Sequence, residues 1–208
     1  MIYTTETRSF FLSPGVNCTV ELPVPDLGVN PDQAPGLGKS HSEKSENLDK
    51  FLSEILFPQY TRALKRSHDC YMASDLPEKF LSGSNVTVMS LNVPVYGIYG
   101  FYQSNSDLIF IDTDTLALGC KAGPGEFIYG HELGHRILHK KNVLASESAI
   151  SDVCSFLAIS DRKLALELLC DAFGELVSSG SESDFNTLLN EKAVEGLKRI
   201  ALKLAWSC

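Results

Sequence analysis

The chain of 208 residues contains no run of 18 apolar residues. That excludes a single helix crossing a bilayer, which needs about 20. It has no block of lysines and arginines, and its formal charge is -8. An acidic surface repels phosphate backbones, so no nucleic-acid partner is expected. The six cysteines, at 18, 70, 120, 154, 170 and 208, form no C-x-x-C pair. The first stretch, "MIYTTETRSFFLSPG", lacks the basic start and long apolar core of a secretory signal. The cysteines therefore read as reduced thiols, and the expected location is the cytoplasm, away from membranes. No segment repeats along the chain.

What is present suits one globular domain with an extension. Apolar residues make up 44% of the chain, enough for a core. Residues 1–24 alternate weakly, as in "CTVELPV", and predict a strand or hairpin. Residues 25–46, rich in Pro, Gly and Ser, read as a loop. The expected organisation is an extension over 1–46 and a domain over 47–208. A helix is expected over 47–67, bent near Pro58. The extended runs "NVTVMSLNV", "VYGIYGFYQ" and "DLIFIDTD" follow, the last two joined by the turn "SNSD". Helices are then predicted near 126–141, 146–159, 161–179 and 183–206. A small antiparallel sheet followed by helices is an α+β arrangement.

Three of the five histidines fall in "GHELGHRILH". His131 and His135 frame an H-E-x-x-H pattern. Residues four apart on a helix lie about 40° apart around its axis, so two imidazoles reach one cation. Zinc is the expected ion, one per chain, because neutral imidazoles and a carboxylate suit it. Glu132 points about 100° further round, placed to activate the zinc-bound water rather than to bind the metal. Phe127, Gly130, Leu133, Gly134, Ile137 and Leu138 give the helix a packed face. Gly130 and Gly134 weaken it by about 1 kcal/mol each relative to alanine, which points to close approach by another element. His139 lies about 12 Å beyond His131 along the helix, too far to share the ion. It reads as a helix C-terminal histidine favoured by the macrodipole.

A third ligand is sought downstream, in "LALELLCDAFGELVSS". Glu167 and Asp171 are one turn apart on an apolar helix. Glu167 is the candidate ligand, with Asp171 accepting a hydrogen bond from the outer nitrogen of a ligand histidine, His131. Glu175 is the rival third ligand. Cys120, just before the motif helix, is a further thiol to watch, while Cys154 and Cys170 read as core. Tyr99, Tyr102, Tyr129 and His68 are candidate oxyanion donors.

Taken in order, "GFYQSNSDLIFIDTDTL", "FIYGHELGHRILH" and "ELLCDAFGELV" resemble the ImmA/IrrE-type metallopeptidases over roughly residues 95–180. That family pairs a hairpin and an HExxH helix with a downstream E-x-E-A-[DN]-x-F-A-x-x-L helix. Here its second Glu is Leu169, its Ala is Cys170 and its Ala after Phe is Gly174. The resemblance implies a gluzincin-like core, with a small sheet packed on it. It implies His131, His135 and Glu167 as zinc ligands and Glu132 as catalytic acid/base. The expected activity is hydrolysis of peptide bonds in a protein or peptide substrate, docked on the sheet edge with "DLIFIDTD" as the strand. The alternatives are a delivered effector or toxin protease, and a zinc-binding sensor module with little turnover.

Overall fold

The computed structural model describes residues 3–25, 50–89, 99–120, 123–178 and 189–207. Strands β1 (Tyr3–Ser13) and β2 (Val16–Pro25) form an antiparallel hairpin. Its turn passes through Gly15, whose φ of 79° suits a residue without a Cβ. β2 buries Val16, Cys18, Val20 and Leu22, the alternate positions on one face of a strand. With β3 (Asn85–Met89), β4 (Gly100–Gln103) and β5 (Leu108–Asp112) it builds a five-stranded sheet in the order β1-β2-β3-β5-β4.

The fold is α+β, with two corrections. The sheet is mixed rather than antiparallel: β2 pairs parallel with β3, and β3 parallel with β5. Among the described residues only the hairpins β1–β2 and β4–β5 are antiparallel. Hairpins are announced by their turn residues, whereas parallel partners lie far apart in sequence and carry no local signal. The N-terminal hairpin also shares the sheet and the core with the rest of the chain, so a boundary near residue 46 does not set it apart. Residues 26–46, read as a loop, lie outside the described residues.

A π-helical turn, Leu52–Leu56, leads into α1 (Phe57–Ala73). The Phe57 N–H bonds five residues back, to Leu52. Pro58 offers no N–H of its own, and the helix widens just before it instead of breaking. The last extended run stops early, because the Asp112 side chain accepts from the Thr115 N–H at 3.0 Å and starts α2 (Thr113–Leu118). Helices α3 (Gly125–Lys140), α4 (Val143–Leu157), α5 (Arg162–Ser178) and α6 (Glu191–Trp206) follow. The α6 N-terminus is capped by Asn190; the part of that helix expected over 183–188 lies outside the described residues. No single helix among the described residues is long and apolar enough to cross a membrane.

The tightest helix contact is between α3 and α5, and glycine permits it. A Cβ on Gly130 would lie 2.8 Å from the Phe173 carbonyl oxygen and 2.8 Å from Val177 Cβ. Those neighbours are backbone and a branched carbon, which cannot swing aside. We expect Gly130→Ala to lose on the order of 1–2 kcal/mol in a denaturant melt. Overpacking of about 1–3 kcal/mol outweighs the gain of about 1 kcal/mol in helix propensity. α5 is covered on several sides, by α3, α4 and α6. Gly174 and Glu175 are buried accordingly.

Candidate metal centre

The close α3–α5 approach brings Glu167, Cys170 and Asp171 of α5 against the histidine flank of α3. The Nε2 atoms of His131 and His135 lie 3.1 Å apart. Glu167 Oε2 lies 3.5 Å from the first and 3.6 Å from the second. One donor atom from each of the three residues falls within 4.8 Å of the others, so the group can hold a metal ion. It is the one such group among the described residues.

The outer ring nitrogens are also held. Asp171 Oδ1 is 2.8 Å from His131 Nδ1. A carboxylate only accepts, so this nitrogen donates and Nε2 is turned to the group. Cys170 Sγ is 3.4 Å from His135 Nδ1. Cys170 is fully buried as expected, yet it also touches a ligand-type histidine, which a core assignment alone does not reveal. Cys120 does not join the group, and its backbone pairs with Gly123. Glu175 is buried and also outside the group. If the group binds metal, Asp171→Ala should weaken affinity about 10- to 100-fold. Competition against a chelating dye measures it.

Electrostatics favour a cation here. Burial opposes charge on His131, but bonds to Asp171 and Glu167 and the nearby Glu132 outweigh it, and the ring is pushed up to about 10. Hydrogen bonds to His131 and His135 hold Glu167 well below the usual carboxylate range. Glu132 moves the other way, raised by burial against the pull of both histidines. Its Oε2 is buried without a hydrogen-bond partner among the described residues. Three carboxylates around two imidazoles leave an excess of negative charge that a bound cation relieves.

The group opens onto a cleft of about 390 Å³ between α3 and β4. Gly100 of β4 faces Glu132, where an added Cβ would lie 2.9 Å from Oε1. Further along, Tyr102 lines the cleft opposite His139. The expected docking strand is corrected here. β5 lies between β3 and β4, with Ile109 and Ile111 fully buried, so among the described residues the sheet edge beside the cleft is β4. Of the candidate oxyanion donors, Tyr129 is sealed in the core and His68 is buried in α1. Tyr99 packs against the core. Tyr102 alone of the four lines the cleft.

One buried group escaped the sequence reading. Arg136 of α3 holds both carboxylate oxygens of Asp107, each at 2.8 Å, and donates to the Phe80 and Ser82 carbonyls. Lys140 adds a contact to Asp107 at 2.9 Å. This ties the β4–β5 turn to the motif helix. Although burial works against it, Asp107 is held down to about 2 by Arg136, Lys140 and Tyr102. Its ordinary value is 3.8, so this stabilisation is complete above about pH 4 and lost as pH falls towards 2. The shift corresponds to about 2 kcal/mol at most. We expect Asp107→Asn to lower stability at neutral pH and to flatten the acid limb of a pH–stability curve between pH 4 and 2.

Comparison with protein-family models, with curated proteins and with solved structures finds no match to this chain.

Proposed function

We propose that the protein is a zinc-dependent peptidase with a gluzincin-like site, in line with its resemblance to the ImmA/IrrE-type metallopeptidases. One observation carries the reading. Two histidines of an HExxH helix and a glutamate of a second helix turn their donor atoms to one point, with Glu132 beside it.

The donor set fits zinc. Two imidazole nitrogens and one carboxylate oxygen are a catalytic zinc shell that leaves a position open. Asp171 and Cys170 contact the outer nitrogens, which orients both rings. His131, His135 and Glu167 would hold the ion. When bound, zinc supplies a Lewis acid that polarises a carbonyl and makes water easier to deprotonate.

The remaining chemistry belongs to the chain. Glu132 takes a proton from water and passes it to the departing amine nitrogen. Its raised affinity for protons, from burial, suits both halves of that task. Gly100 leaves the carboxylate room to face the cleft. β4 offers an outer edge on which an extended peptide segment can lie.

The test is cleavage of an unfolded protein by the zinc-loaded chain. Cleavage should stop with a chelator and return with zinc. Zinc-loaded protein that cuts no member of an unstructured peptide library would overturn the reading in favour of a sensor module.

A further inference from the structure

Beyond the metal group, Tyr102 and His139 of the cleft wall belong to a second ordered set of polar side chains, whose hydrogen bonds run in one direction. Tyr102 Oη lies 3.0 Å from Asp107 Oδ1 and 3.0 Å from His139 Nδ1. A phenol has one proton to give. Asp107 is a carboxylate locked by Arg136 and Lys140, and a carboxylate can only accept. The Tyr102 proton therefore goes to Asp107. Towards His139 the Tyr102 oxygen can only accept, so Nδ1 of His139 must carry the hydrogen. A neutral imidazole has one N–H, and its Nε2 is then a bare acceptor.

The chain of bonds is built into the fold. Asp107 holds a left-handed φ of 51° in the β4–β5 turn, a conformation uncommon outside glycine. The carboxylate is thereby kept between Arg136, Lys140 and Tyr102. Arg136 is almost wholly buried, which shields its bonds to Asp107 from solvent. His139 is exposed and lines the cleft, one turn beyond His135. Its ring is tilted 54° to that of Tyr102.

We propose that His139 is a specificity-determining residue: Asp107 and Tyr102 fix its proton on Nδ1, and its bare Nε2 accepts a hydrogen bond from an N–H donor on the peptide substrate. The side chains that fit are those of asparagine, glutamine, lysine and arginine. Apolar side chains leave the acceptor unmatched, and acidic ones meet it with another acceptor. The inference rests on the peptidase reading for its substrate, but the proton placement does not.

Two measurements test it separately. The first is long-range proton–nitrogen NMR on zinc-loaded protein with labelled histidine, with His139→Ala used for assignment. In the neutral form, His139 should be protonated on Nδ1, and Tyr102→Phe should turn it into a mixture of both tautomers. A neutral ring protonated on Nε2 in the unsubstituted protein overturns the proposal whether or not any peptide is cut. The second is cleavage of a peptide library that varies each position around the scissile bond. One position should favour N–H donor side chains. In His139→Ala the ratio of kcat/KM for donor over apolar peptides should fall about three- to tenfold, the weight of one hydrogen bond. Tyr102→Phe should relax the same preference. Cleavage without a donor preference, or a preference that survives His139→Ala, overturns the subsite alone. No cleavage by zinc-loaded protein overturns the peptidase reading and the subsite with it.

Discussion

Glu132→Gln is expected to lower peptide hydrolysis by about 10²- to 10⁴-fold while leaving zinc content unchanged. The amide keeps the shape of a side chain that is itself almost closed to solvent. It removes the carboxylate proposed to accept the proton from water. The two histidines and Glu167 keep their positions, because Glu132 is not among the three donors. The loss should appear in kcat more than in KM, since proton transfer belongs to the transition state. Equal activity in Glu132→Gln would mean that another base does this work, or that the turnover observed comes from a contaminant.

Glu167→Ala is expected to lower zinc affinity about 10²- to 10³-fold, the share of one ligand of three in a site worth roughly 10 kcal/mol. Ligands that bind only the folded chain raise its melting temperature. The unsubstituted protein should therefore melt higher with added zinc, and Glu167→Ala should barely respond. The contrast with Asp171→Ala is informative. Asp171 holds the outer nitrogen of His131 and is not among the three donors, so its loss should leave a weaker but measurable shift. Identical shifts for the two variants would remove the distinction between ligand and support.

The site was more legible in the sequence than the sheet, for a physical reason. HELGH and E-x-x-x-D are patterns within single helices, and a helix converts spacing into direction with little freedom. The glycines at 130 and 134 announced a close neighbour, and α5 is that neighbour. The hairpin β4–β5 was legible from its turn. The parallel pairing of β2 with β3 was not, because α1 and a long connection separate them. Misplacing the edge followed from that: β5 reads as a good strand whether it lies inside or outside.

Long-range polar contacts were the other blind spot. Arg136 sits among apolar residues on α3, and nothing nearby in sequence names Asp107 as its partner. Helix geometry keeps His139 from sharing an ion with His131. The place of His139 in the cleft depends on Tyr102, 37 residues away. Cys170 likewise fits a core position by composition and meets His135 only once α5 is docked.

That His131, His135 and Glu167 form a zinc shell is the proposal on which the other roles depend. Elemental analysis after zinc loading and dialysis addresses it most directly, on the unsubstituted protein, Glu132→Gln and Glu167→Ala. The expected result is about one zinc per chain in the first two and far less in the third. Full zinc in Glu167→Ala, or none in the unsubstituted protein, would contradict it.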